Sequence, residues 1–114
     1  MTVIYGIANC DKCRSAIKWF AQSGLEYRFH DLRKDGLSAE LLASWLATAG
    51  ADQLLNKRST TWRQLSASQR EQAAGPSGSK LILQHPTLLK RPLIAANGQL
   101  LVGYDESSWQ ALLA

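Results

Sequence analysis

Two cysteines, Cys10 and Cys13, stand in C-x-x-C spacing within Ile4-Tyr5-Gly6-Ile7-Ala8-Asn9-Cys10-Asp11-Lys12-Cys13-Arg14, and they are the only cysteines of the chain. They follow an apolar run and precede a helical pattern. Such a junction favours sulfur chemistry. The first N–H groups of a helix lack intrahelical partners, and the helix dipole favours negative charge at that end. A cysteine placed there ionises more easily, and the thiolate is the reactive form. Cys10 is the candidate nucleophile, stabilised by the N–H groups of Asp11 to Cys13. Asp11 opposes this by like-charge repulsion unless its carboxylate turns to solvent. Cys13, one turn on, either resolves a mixed disulfide by forming Cys10–Cys13 or packs beside Ala16 and Ile17 as a small apolar residue.

Other chemistries fit less well. Cys10, Cys13, His30 and His85 are four potential metal ligands, but the two histidines are too far apart in sequence for a zinc module, so no metal is expected. His30 reads more simply as a strand-end residue and His85 as a helix-end residue before Pro86. Charge is uneven: Lys57 to Arg91 holds seven of the 13 basic residues and one acid, Glu71. This basic middle suits an anionic partner. Arg58 and Arg91 are its best anion binders, able to grip a carboxylate bidentately. The segment lacks a nucleic-acid motif, so direct nucleic-acid binding is not expected.

A chain of 114 residues suits one domain with an apolar core. The N-terminal residues lack the basic region of a signal peptide, and no apolar run approaches a membrane span. A soluble, cytoplasmic protein is expected, where a close cysteine pair is more often catalytic, redox-sensing or metal-binding than a permanent staple.

The elements that must position the cysteines can be read in order. Thr2 to Ile7 predicts a buried strand. Lys12 to Ser23 predicts a helix with Ala16, Ile17, Phe20 and Ala21 on one face and Gly24 at its end. Glu26 to His30 predicts a second strand, and the three make a βαβ unit with parallel neighbours. A helix capped by Ser38 carries Leu41, Leu42, Trp45, Leu46 and Ala49 up to Gly50. Ser68-Gln69-Arg70-Glu71 fits a capping box for a short helix. Gly75 to Gly78 is a loop, and Leu81 to Gln84 is one or two helical turns stopped near Pro86. Leu93–Ala96, Asn97-Gly98 and Gln99 to Gly103 form a hairpin signal. Ser107 to Leu113 suits a last helix burying Trp109, Leu112 and Leu113. Trp45 and Trp109 read as core, whereas Trp62 could line a cleft. Without its helical middle, β-α-β followed by β-β-α is the thioredoxin arrangement, with the C-x-x-C after the first strand. The predicted fold class is therefore α/β, a thioredoxin-like mixed sheet with an inserted helical subdomain.

A family resemblance adds to this reading. Ile4-Tyr5-Gly6, Asn9-Cys10, Arg33-Lys34-Asp35-Gly36-Leu37, Leu54-Leu55-Asn56-Lys57-Arg58-Ser59, His85-Pro86-Thr87-Leu88-Leu89-Lys90-Arg91-Pro92 and Val102-Gly103-Tyr104 together resemble the ArsC/Spx family, more closely its YffB branch of thiol reductases. The resemblance implies one ArsC-like domain over 1–114, with a thioredoxin-like part over about 1–35 and 88–114 and a helical insertion over about 36–87. It matches Cys10 to the family's nucleophile and Arg91-Pro92 to an arginine before a cis-proline at the site edge. Asn9, Asp11, Arg58, Arg91 and Pro92 make up the expected substrate-binding set, and Cys10, Cys13 and Arg91 the catalytic one. Glutathione is the expected co-substrate, with no tightly bound cofactor. The arsenate reductases of the family use an arginine triad. Here Asn56 and Gly103 stand where two of its members are expected, which weakens an arsenate reductase reading. Cys13 resembles the second cysteine of the Spx redox switch, so the alternative is a redox-sensing transcriptional regulator binding RNA polymerase.

Overall fold

Strand β1 (Thr2–Gly6) is flanked on both sides, and its alternating burial with Ile4 fully enclosed marks it as a central strand. The computed structural model describes residues 1–113. Helix α1 (Asp11–Ser23) follows β1, then β2 (Tyr27–Asp31), which pairs with β1 in parallel. Five short helices follow: α2 (Ala39–Ala49), α3 (Ala51–Leu54), α4 (Thr60–Gln64), α5 (Ala67–Ala74) and α6 (Gly78–Gln84), with a 3-10 turn at Pro86–Leu88. The chain ends in the hairpin β3 (Leu93–Ala96) and β4 (Gln99–Val102), helix α7 (Glu106–Gln110) and a 3-10 turn at Ala111–Leu113. The sheet order is β2-β1-β3-β4, with β3 antiparallel to both β1 and β4. This is the mixed four-stranded sheet of the thioredoxin-like fold.

Two compact units divide the chain. One joins Met1–Gly36 to the chain from Arg91 onward, and the other is Leu37–Lys90. In the sheet unit, Ile4, Ala16, Phe20, Ile94, Ala96 and Trp109 form the buried core. Trp109 is sealed from solvent and meets Trp19, Phe20 and Tyr104 at ring-centroid distances of 5.5, 5.4 and 4.7 Å. Offset and edge contacts of this kind add to the burial of apolar area. The hairpin turns at Asn97 (φ 51°) and Gly98 (φ 75°), the pair of positive angles that an Asn-Gly turn supplies.

In the helical unit, Leu42, Trp45, Leu54, Leu55, Leu81, Ile82, Leu88 and Leu89 are buried. Backbone pairing crosses long sequence gaps: Asn56 N–H donates to Leu88 O at 2.8 Å and Lys90 N–H to Leu54 O at 2.7 Å. Trp62 lies between the Lys57 ammonium, 5.8 Å from its ring centroid, and the Arg70 guanidinium at 5.9 Å.

Several boundaries differ from the sequence expectation. Asp31 completes β2, and Gly78 starts α6 rather than ending a loop. The capping box belongs to Ser66, not Ser68. Ser66 Oγ accepts from Gln69 N–H at 3.1 Å, and Gln69 Oε1 accepts from Ser66 N–H at 2.9 Å. Starting at Ser66 puts a glutamine at the third helical position, where it can reach back. The last helix begins at Glu106 because the Asp105 carboxylate caps it, accepting from Ser107 and Ser108 N–H. Leu113 is 43% exposed rather than buried; it falls in the terminal 3-10 turn, where the tighter winding breaks the α-helical spacing.

Candidate functional site around Cys10

The thiol loop, Ile7 to Asn9, connects the end of β1 to α1, and Cys10 is the residue that caps α1. Cys10 is half-buried and Cys13 fully buried, and both are free thiols. The cause lies in helical spacing. Cys13, Ala16 and Phe20 fall on the buried face of α1, whereas Cys10 precedes the first turn. Gly6 makes room for Cys13: a Cβ on Gly6 would lie 2.5 Å from Cys13 Sγ. Only a residue without a side chain allows the sulfur to pack against β1 there.

The two thiols differ in proton affinity. Burial pushes Cys10 up, but the N–H of Cys13, the hydrogen-bonding Arg91 side chain, the Cys13 thiol and the Arg91 charge outweigh it, and the net shift is downward. Burial likewise pushes Cys13 up. The N–H of Ile7 opposes it too weakly, the Cys10 charge adds to it, and Cys13 rises to about 12. At neutral pH Cys13 is therefore a protonated donor facing a sulfur that ionises more readily.

Arg91 precedes Pro92 through a cis peptide bond. Pro92 is buried beside β3, and its carbonyl accepts from Gly103 N–H at 2.8 Å. Thus the residue that meets the thiol is fixed by the hairpin. Asn9 and Asp11, on either side of Cys10, are exposed. Asn9 Oδ1 accepts from Arg14 Nη2 at 2.9 Å, and Asp11 Oδ1 lies 3.5 Å from Arg14 Nη1. The Asp11 carboxylate is thus turned to solvent and to Arg14, which limits its repulsion of a Cys10 thiolate. Arg58 belongs to the helical unit, where it is exposed and its N–H donates to Asn56 Oδ1 at 3.1 Å. Cys10, Cys13 and Arg91 thus come together in the sheet unit, with Pro92 next to Arg91 in the chain and Asn9 and Asp11 exposed on either side of Cys10.

Two residues of this neighbourhood went unread in the sequence. Asp31 Oδ2 accepts from Ala8 N–H at 3.0 Å, inside the thiol loop. Arg14 Nε donates to Ala8 O at 3.3 Å. A strand-end aspartate before a polar turn, Asp31-Leu32-Arg33-Lys34, carries the signal of a side chain that caps its own turn. His30 serves elsewhere, its Nε2 donating to Gly36 O at 2.7 Å. Among the described residues no three His, Cys, Asp or Glu side chains gather as metal ligands would, and no helix is long and apolar enough to cross a membrane.

The ArsC family model matches residues 5–112. The chain belongs to the ArsC family. A relative from Haemophilus influenzae, described as an uncharacterized protein, is 40% identical over 114 residues and covers all of both chains. A solved structure described as a YFFB protein superposes with a TM-score of 0.92 at 33% identity, again over all of both chains. The global transcriptional regulator Spx 2 of Bacillus anthracis is 27% identical over 99% of this chain and 87% of its own length. This ArsC-family chain is therefore similar both to a solved YFFB protein and to a transcriptional regulator.

Proposed function

We propose that this ArsC-family protein is a glutathione-dependent thiol–disulfide reductase of a reducing cytoplasm, with Cys10 as its nucleophile. The observation that carries the reading is the contrast between the two sulfurs. Cys10 is accessible, and its affinity for a proton is lowered, whereas Cys13 is enclosed and held protonated. In the cycle, the Cys10 thiolate attacks one sulfur of a disulfide. A Cys10 mixed disulfide forms, the original S–S bond breaks, and the other sulfur leaves as a thiolate that takes a proton from solvent. A glutathione thiolate then attacks the sulfur attached to Cys10. When that sulfur belongs to glutathione, glutathione disulfide departs and the Cys10 thiolate is restored. Two electrons pass from glutathione to the substrate, through exchange whose rate follows thiolate fraction and nucleophilicity. Arg91 stabilises the thiolate in the resting and leaving steps. Cys13 donates its S–H toward Cys10 and attacks nothing, because too little of it is ionised at neutral pH.

The test is glutathione-coupled turnover of glutathionylated and simple disulfide substrates, with the alkylation rate of Cys10 followed against pH. The Cys10 rate should rise through a midpoint below 9.0, the ordinary value, and fall as pH drops through it. Arg91→Ala should move the midpoint up and slow reaction at neutral pH about tenfold. Cys13→Ser should keep turnover. A wild-type midpoint no lower than that of a free thiol would remove the activated nucleophile.

A second reading is a redox-sensing regulator that binds RNA polymerase. The likeness to the Spx 2 regulator and the presence of both Cys10 and Cys13 favour it. Retention of polymerase from a lysate only by the Cys10–Cys13 disulfide form, together with no glutathione turnover, would favour that reading over the reductase.

A further inference from the structure

The peptide of Ala8 is held on both sides by side chains from different elements. Its N–H donates to Asp31 Oδ2 at 3.0 Å, and its carbonyl accepts from Arg14 Nε at 3.3 Å. The two holds are unequal. Arg14 has a side chain 58% exposed, where water competes for every contact. Asp31 is buried, and a charge-assisted hydrogen bond there is stronger and costly to break. Its other oxygen, Oδ1, accepts from Arg33 N–H at 2.8 Å and Lys34 N–H at 3.0 Å, capping the turn after β2. The backbone at Asp31 is pinned in turn: its N–H donates to Asp35 Oδ2 at 3.0 Å, and Leu32 N–H donates to Gly6 O at 2.8 Å. One carboxylate therefore ties the thiol loop to a turn that is itself fixed to the end of β1.

We propose that Asp31 is a positioning residue for Cys10: by holding the Ala8 peptide it fixes the loop that presents the sulfur to the N–H of Cys13 and to Arg91. This rests on the reading of Cys10 as the nucleophile. The carboxylate stays ionised in this position, because the Lys34 N–H, with those of Ala8 and Arg33, outweighs burial and holds its pKa below the ordinary value. The arrangement makes a prediction whose sign separates positioning from simple electrostatics. Removing a negative charge near a thiolate favours the thiolate and lowers its pKa. Releasing the loop weakens the contacts that favour the thiolate and raises it.

Asp31→Asn decides between them. The amide keeps the shape but has a single acceptor oxygen, so either Ala8 or the Arg33–Lys34 pair faces an NH2 group instead. Alkylation of Cys10, followed by mass spectrometry across pH, should show a midpoint raised by about 0.5 to 1 and a rate at neutral pH about threefold to tenfold lower than wild type. A midpoint that stays or falls in a folded Asp31→Asn protein overturns the positioning role. An ordinary midpoint in the wild type instead removes the nucleophile reading, and the positioning role with it. Amide hydrogen exchange of the wild-type protein gives a second check that needs no variant. Ala8 N–H should exchange at least about tenfold more slowly than an open loop amide; exchange at the rate of an open loop overturns the proposal.

Discussion

Four helix starts in this molecule, three with a serine and one with a cysteine at the capping position, meet the N–H of the third helical residue and use it in two ways. In the helical unit, Ser38, Ser59 and Ser66 cap α2, α4 and α5, each accepting from the N–H three residues on, at Leu41, Trp62 and Gln69, at 3.1 Å. In the sheet unit the capping position of α1 is Cys10, no side-chain cap bond closes that start, and the N–H three residues on is that of Cys13. A serine cap consumes the donor for stability, by about 1 kcal/mol. A cysteine in the same place leaves the donor to favour the thiolate, with Arg91 adding to it. The start of α1 is thus a cap position with sulfur in place of oxygen, where the donor lowers the proton affinity of a thiol instead of closing a serine cap.

The largest expected effect comes from collapsing that difference. Cys10→Ser supplies the missing oxygen, so α1 should gain a cap like those of α2, α4 and α5. Thiol-exchange turnover should fall on the order of a thousandfold or more, because the hydroxyl is not a nucleophile at neutral pH. Stability in urea should rise by about 0.5 to 1 kcal/mol. Loss of both activity and stability would mean that the cysteine sulfur already caps α1 as well as oxygen would, and the contrast between the units would disappear.

A smaller effect concerns the second sulfur. Gly6→Ala would place its Cβ 2.5 Å from Cys13 Sγ, a contact that forces atoms to move and should cost about 1 to 3 kcal/mol. Cys13→Ala removes that sulfur and leaves a small void, costing on the order of 1 kcal/mol. The double variant should be more stable than the sum of the two by about 1 kcal/mol or more, measured as a double-mutant cycle in urea. Simple additivity would show that Gly6 does not serve to seat Cys13.

Where local chemistry sufficed, the sequence was informative. The Asn97-Gly98 turn and the Ser38 cap depend on residues within one turn of one another and lie where their patterns place them. Of the expected face of α1, Ala16 and Phe20 are buried and Ile17 is half-buried, whereas Ala21 is exposed and Cys13 takes its place on the buried stripe. Short helices were harder. Ala51–Leu54 and Thr60–Gln64 each span about one turn, too few residues for an apolar period to register. Ser66 and Ser68 both precede suitable residues, and the choice between them turns on whether Gln69 or Glu71 reaches back to close the box. That Cys10 and Cys13 would sit at the start of α1 was legible from the C-x-x-C at a strand–helix junction, and Arg91 stood out by its place before Pro92 and by the family resemblance. Asp31 did not. Its contact with Ala8 spans 23 residues and exists only because β1 and β2 are paired in register, Gly6 beside Asp31. No local pattern at Asp31 points back to the loop that it holds.

The mildest test asks whether the structural caps are silent in the chemistry. Ser66→Ala deletes the oxygen that accepts from Gln69 N–H but leaves the reciprocal bond from Ser66 N–H to Gln69 Oε1 in place. The loss should be about 0.5 to 1 kcal/mol of stability, smaller than a full cap removal because half of the box survives. Ser38→Ala has no reciprocal glutamine bond in its cap and should cost somewhat more, about 1 kcal/mol. Both variants should leave the pH midpoint of Cys10 alkylation where it is, since the charge and the donors around that sulfur are unchanged. A displaced midpoint in either variant would show that the helical unit tunes the thiol, and the division between caps that stabilise and a cap that reacts would have to give way to a coupled one.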